Sequence, residues 1–196
     1  MIDYIKGAIT ELTPANVVLE TGGVGYFINI PLTTYTALNG KTEAQLFVFE
    51  AIREDAYVLF GFLTRDERQL FLLLISVSGI GANTARVIMS SYTASEIQQM
   101  IAGGDVVSLN AIKGIGTKTA QRIIVDLKDK ILKVGTGTEM KGSLFPASSP
   151  VRDETVAALV MLGFAASASQ KVVDKIIRDD PSLSVEKVLK LALKML

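Results

Sequence analysis

The chain has 196 residues, 49% apolar and 20% charged, with 20 basic and 20 acidic side chains in exact balance. It contains neither cysteine nor histidine, which excludes disulfides, thiolate nucleophiles, His-based triads and Cys/His zinc sites. No apolar run reaches the roughly 18 residues of a membrane span, and the opening Met-Ile-Asp-Tyr-Ile-Lys lacks a basic-then-apolar signal, so a cytoplasmic protein with no membrane partner is expected.

The neutral total hides an uneven distribution. Residues 1–63 carry three basic and seven acidic side chains, whereas residues 64–134 carry nine and six. The first segment reads as five short strands, Ile2 to Leu12, Asn16 to Glu20, Tyr26 to Ile30, Ala44 to Ala51 and Ala56 to Phe60, rich in β-branched and aromatic residues. Turn sequences separate them, with one longer link over Pro31–Thr42, and the pattern predicts a closed barrel of the OB type. Gly22-Gly23-Val24-Gly25 precedes a strand rather than a helix, which favours a hairpin turn over a dinucleotide site. Being acidic, the barrel suits scaffolding and self-association better than nucleic-acid binding. At Arg53-Glu54-Asp55-Ala56 two adjacent carboxylates occupy a turn. A solvated tip is the plain reading; a negative wedge beside a phosphate path is the sharper one.

Residues 64–134 have helical periodicity. Thr64-Arg-Asp-Glu67 forms a capping box for a helix through Leu70 to Val77. A second helix spans Ser91 to Ala102, with Thr93 or Ser95 as its cap and Gly103-Gly104 as its end. Two related stretches punctuate the region. Ser78-Gly-Ile-Gly-Ala-Asn-Thr-Ala recurs 35 residues later as Lys113-Gly-Ile-Gly-Thr-Lys-Thr-Ala, after a short helix over Val106 to Ile112, and a long helix from Thr119 to Leu132 follows the second copy. A Gly-Ile-Gly turn lets the isoleucine fold into the core while a helix N-terminus opens outward. Its unpaired N–H groups and positive dipole end suit a phosphate.

One such turn is a weak signal; a repeated pair with Lys113, Lys118 and Arg122 around one copy is much more specific. The expected phosphate contacts are Gly79, Gly81, Ala82, Asn83 and Thr84 in the first hairpin. In the second they are Lys113, Gly114, Gly116, Thr117, Lys118, Thr119 and Arg122. Asp126 and Asp129, with Lys128 and Lys130 alongside, read as a solvated face and not a metal site. No catalytic residue, metal, cofactor or small-molecule substrate is expected.

Residues 135–150 have linker composition and, if flexible, would span roughly 20–24 Å. Residues 151–196 read as three short helices. The first ends at Leu162-Gly163, the second covers Ser167 to Arg178, and Ser184 caps the third. Apolar residues left outside this small core would form a docking patch.

On these residues the chain resembles the RuvA family, bacterial subunits that bind Holliday junctions. The resemblance runs the whole length, through Gly-Gly-Val-Gly-Tyr26, Arg-Glu-Asp-Ala56, both Gly-Ile-Gly hairpins, Ile-Val-Asp-Leu-Lys128 and Ala-Leu-Val-Met-Leu-Gly-Phe164. It implies an α+β multidomain fold with a five-stranded OB-type barrel over 1–63 and tandem helix-hairpin-helix motifs over 64–134. A linker over 135–150 and a three-helix domain over 151–196 complete it. It also implies a homotetramer that holds a four-way junction open and square for branch migration in recombination and repair, leaving open whether one or two tetramers hold each junction. Glu54 and Asp55, flanked by Arg53, would be an acidic pin at the crossover. Segment 151–196 would bind RuvB, a hexameric AAA+ ATPase, and RuvC, the resolving nuclease, would join the assembly.

The departures concern charge. Family members often carry lysine where this chain has Asn83 and two lysines where it has Thr117-Lys118, so weaker or more salt-sensitive binding is expected. Two rivals fit the hairpins less well. A glycosylase would need an aspartate downstream of Lys118, where this chain has Thr136. A motor would need a P-loop, and none occurs. A generic helix-hairpin-helix duplex binder is the remaining alternative.

Overall fold

The computed structural model describes residues 1–134 and 150–196, so the expected linker lies almost wholly outside the described residues. The chain divides into two compact units, Met1–Glu139 and Met140–Leu196.

The first unit begins with β1 (Tyr4–Leu12), β2 (Asn16–Thr21), β3 (Val24–Asn29), a helix α1 (Leu32–Leu38), β4 (Glu43–Ile52) and β5 (Tyr57–Phe62). The strands close into a barrel in the order β1-β2-β3-β5-β4. Long β1 pairs antiparallel with β2 along its second half and with β4 along its first, and a register shift between Ile9 and Glu11 lets it bend between the two partners. A short parallel pairing of β3 with β5 closes the circle. Gly22 and Gly23, both at positive φ (59° and 79°), make the tight β2–β3 hairpin. The alternation puts Ile5, Val17, Leu19, Ile28, Leu46, Val48 and Leu59 inside the barrel.

The link over 31–42 is not the plain connection its sequence suggests. It carries α1, with Pro31 at the N-cap and Thr34 and Leu38 buried. Its threonines are poor helix formers, and tertiary contacts override that preference. The Leu32 N–H donates to Ser90 Oγ (3.0 Å) and Thr33 Oγ1 to the Met89 carbonyl (3.1 Å).

Five helices follow: α2 (Arg65–Ile75), α3 (Ala82–Ser91), α4 (Ala94–Gly103), α5 (Val106–Asn110) and α6 (Thr117–Val134). α2 and α4 open on complete capping boxes, Thr64 with Glu67 and Thr93 with Glu96, and α4 ends on left-handed Gly104 (φ 72°). One hydrophobic cluster runs from barrel residues Phe60 and Phe62 through Phe71 of α2 to Ile123 and Leu127 of α6. Phe71, fully buried, meets the rings of Phe49, Phe60 and Phe62 at centroid distances of 5.5, 5.4 and 4.8 Å. Barrel and helices therefore share a core and form one body.

Polar contacts reinforce the seam. Arg68 pairs with Asp3 (2.7 Å) and donates to the Val48 carbonyl (3.3 Å), and its hydrogen bond holds the Asp3 carboxyl below the usual carboxylate range. Arg86 of α3 donates to the Ala15 carbonyl (3.0 Å) and to Asn29 Oδ1 (3.2 Å).

The second unit holds α7 (Pro150–Met161), α8 (Ala166–Asp179) and α9 (Val185–Ala192). They pack around Leu159, Val173, Ile176, Val188 and Ala192. Gly163 at φ 98° terminates α7. Ser184 stands at the N-cap of α9, yet its side chain makes no capping hydrogen bond. The apolar residues at the end of the chain divide: Val188 and Ala192 of α9 fill the core, while Leu191 of α9 and Leu193 and Met195 after it are exposed.

Candidate nucleic-acid interface

The two Gly-Ile-Gly turns have the same geometry. In the first, Gly79 takes φ 93°, and the Ile80 N–H donates to the Val77 carbonyl at 3.0 Å. In the second, Gly114 takes φ 90°, and the Ile115 N–H donates to the Ile112 carbonyl, also at 3.0 Å. Both isoleucines are 4% exposed, so each anchors its turn in the shared core. The first α-helical bond then closes from Ala85 N–H to the Gly81 carbonyl and from Ala120 N–H to the Gly116 carbonyl, 2.9 Å in each case.

This corrects the expected start of the last helix: α6 begins at Thr117, not Thr119. Thr117, Lys118 and Thr119 are its first three residues, as Ala82, Asn83 and Thr84 are those of α3. The shift is physically useful, because the backbone N–H groups of the first turn are the ones without intrahelical partners. α2 and α4 satisfy theirs with capping boxes. α3 has only Gly81 at its N-cap and no side-chain cap, and α6 follows Gly116 in the same way. The hairpin helices thus present N–H donors and a partial positive charge outward.

The two glycines of each turn have different reasons to be glycine. Gly79 and Gly114 need it for their positive φ. Gly81 has an extended backbone (φ −88°, ψ 171°) that any residue adopts, and a Cβ at Gly81 or Gly116 would meet nothing within 4 Å. Neither conformation nor packing within the chain requires glycine there, whereas close approach of an outside group would.

Lys113, Gly114, Gly116, Thr117, Lys118 and Arg122 are exposed, as are Gly79, Gly81 and Asn83, with Ala82, Thr84 and Thr119 half-buried. The structure therefore gathers the predicted phosphate contacts at two helix openings. It also adds a residue that sequence reasoning placed on a solvated face: Asp126 Oδ2 lies 3.7 Å from Arg122 Nε, one helical turn away. The i, i+4 spacing was the available signal. Asp129 is exposed, and no group of acidic side chains among the described residues is arranged to hold a metal ion.

The acidic turn is the tip of the β4–β5 hairpin. The Arg53 N–H donates to the Ala56 carbonyl at 2.8 Å, leaving Glu54 and Asp55 exposed at the apex. Below it, Tyr57 Oη donates to Glu50 Oε1 at 2.6 Å, and the Ile2 N–H donates to Glu50 Oε2 at 2.8 Å. Tyr57 foremost, and then Ile2, holds the Glu50 carboxyl below the ordinary range. Arg53 and Val58 of this hairpin line one recess together with Ala82 and Asn83 of α3.

A small closed barrel fused through a shared core to a tandem pair of helix-hairpin-helix units defines the architectural class of the first unit. Family models match in chain order, RuvA N terminal domain over residues 1–61, SAM-like Helix-hairpin-helix tandem over 71–129, and RuvA, C-terminal domain over 150–196. Among similar proteins, the Holliday junction branch migration complex subunit RuvA of Bacteroides fragilis is 54% identical over 202 residues. Those of Porphyromonas gingivalis and Flavobacterium psychrophilum are 48% identical over 202 residues and 44% over 196. Each alignment covers 100% of both chains. The chain belongs to the RuvA family.

Proposed function

We propose that this chain is the non-catalytic, junction-binding subunit of a branch migration complex acting in homologous recombination and DNA repair. The observation that carries the reading is the congruent pair of hairpins, each with an anchored isoleucine and a glycine at the helix start beside which a Cβ would meet only open space. Backbone donors at Gly79–Thr84 and Gly114–Thr119, with Lys113, Lys118 and Arg122, hold phosphates of a duplex arm irrespective of sequence. Asn83 and Thr117 supply polar contacts without charge.

Each chain contributes few cations, so useful affinity requires several chains on one substrate. A homotetramer supplies them, and the fourfold geometry brings four Glu54–Asp55 tips to the crossover, where their charge repels the strands and keeps them apart. In this scheme residues 1–63 serve self-association and carry the pin, residues 64–134 bind DNA, and residues 135–150 tether the last unit. Residues 151–196 recruit a RuvB-type hexameric ATPase, with exposed Met161 and Leu162 beside Gly163 as apolar contacts. A RuvC-type resolvase joins the same junction. ATP hydrolysis belongs to the partner, and the assembly works in the cytoplasm.

The direct test is Lys118→Ala with Arg122→Ala, titrated against a fluorescent four-way junction. Losing two phosphate contacts per chain lowers affinity at least tenfold and flattens the dependence of log K on log salt. Unchanged binding would leave an adaptor that does not grip DNA through its hairpins.

A further inference from the structure

The recess between the pin stem and the first clamp has a volume of about 110 Å³, several times the roughly 10–15 Å³ that one water needs. Its walls are chemically mixed. Ala51, Val58 and Phe60 give an apolar side from the barrel; Ala82 and Asn83 close it from the start of α3; Arg53 stands at the rim beside the acidic tip. Among the described residues, neither the Arg53 guanidinium nor the Asn83 amide makes a side-chain hydrogen bond or ion pair, although both are exposed. The recess is thus apolar on its barrel side, with the Arg53 guanidinium and the Asn83 amide among its lining groups.

On the junction-binding reading above, the occupant follows from position. Ala82 and Asn83 belong both to the phosphate clamp and to the recess wall, so a strand whose phosphate sits at the opening of α3 suspends its base near the recess. The Glu54–Asp55 tip marks the place where strands part and bases lose their partners. We propose that the recess takes one unpaired nucleobase from the strand at the crossover. Arg53 stacks on the ring, the apolar wall covers its other surface, and Asn83 meets its edge. An amide both donates and accepts, so Asn83 suits any of the four bases, as a site that must pass successive bases requires. The recess would hold the separated strand briefly at each step, an attraction complementing the repulsion of the pin.

The experiment uses the full chain and a four-way junction with 2-aminopurine at the crossover. Binding to the wild type should unstack the analogue, raising its fluorescence, and shield it from acrylamide by about threefold relative to the same base in a free single strand. Val58→Phe and, independently, Ala51→Leu fill the recess. They should return quenching to the single-strand level while the gel-shift midpoint for the junction stays within about twofold. An analogue that stays dark in the wild-type complex overturns the proposal, as does one quenched equally in wild type and filled variants. Loss of junction binding in both filled variants, with the fold intact by circular dichroism, also overturns it, because the recess would then be inseparable from the clamp. A wild type that shows no junction preference would instead sink the underlying function, and the recess with it.

Discussion

Replacing Gly114 and Gly116 with alanine, one at a time, separates what the fold needs from what the ligand needs. Gly114 sits at φ 90°, where an L-residue costs about 1–2 kcal/mol. For a body the size of the first unit, each kcal/mol lowers the melting temperature by roughly 2–4 °C, so Gly114→Ala should lower it by about 2–8 °C. Gly116 lacks a positive φ, and a Cβ there meets nothing within 4 Å. Its alanine variant should melt no lower than the wild type, and a loss of freedom in the unfolded chain could raise stability by about 0.4–1 kcal/mol. The DNA readout runs the other way. On the proposed function, a methyl at Gly116 would project into the open space through which a phosphate reaches the N–H groups of α6. Hydrogen bonds to a charged group are worth about 1.5–3 kcal/mol, so junction affinity should fall at least about tenfold. Thermal melts and fluorescence anisotropy on the same preparations give both numbers. If Gly116→Ala melts as low as Gly114→Ala, or binds the junction at full strength, the assignment of that glycine to ligand approach is wrong.

Asp126→Asn removes the carboxylate 3.7 Å from Arg122; such an exposed i, i+4 pair contributes only about 0.3–0.5 kcal/mol, so the melting temperature should hardly change. Junction affinity at low salt should rise about two- to fivefold, since Arg122 no longer shares its charge and one repelling carboxylate is gone. Glu50 has a folded pKa below its ordinary 4.5, so its ionised form stabilises the pin stem. That contribution is full above 4.5 and is lost as pH falls through the lower folded value. Melts of wild type and Glu50→Gln should therefore differ at pH 7 and converge in acid; a gap that stays constant down to pH 3 would contradict this role.

Much of this was legible because local signals agreed with the tertiary structure. Alternating β-branched residues placed five strands, and the Thr64/Glu67 box placed one helix start; the helix expected from Ser91 begins instead at Ala94, because Ser91 ends α3 and Thr93 with Glu96 forms the box that opens α4. The duplicated Gly-Ile-Gly stretch placed both hairpins. Most of what escaped depends on contacts distant in sequence. α1 is a threonine-rich segment held helical by Ser90 and Met89, over fifty residues away. The start of α6 was read two residues late, because Thr117 and Lys118 resemble turn residues until the Gly116–Ala120 bond is seen. Arg86, in the first repeat, is held by an equally distant contact: its guanidinium fastens α3 to the barrel. The recess beside the pin joins residues 51–60 to residues 82–83, and no sequence pattern announces such a meeting.

On the proposed function, these hairpins and the acidic hairpin tip act together on a four-way junction rather than on duplex DNA in general. A competition gel shift, with labelled junction challenged by unlabelled junction or by linear duplex of equal length at two salt concentrations, tests it most directly. Duplex should compete at least about a hundredfold less well than junction, and binding to both should weaken as salt rises. Equal competition by the two DNAs would contradict it and leave a generic helix-hairpin-helix duplex binder.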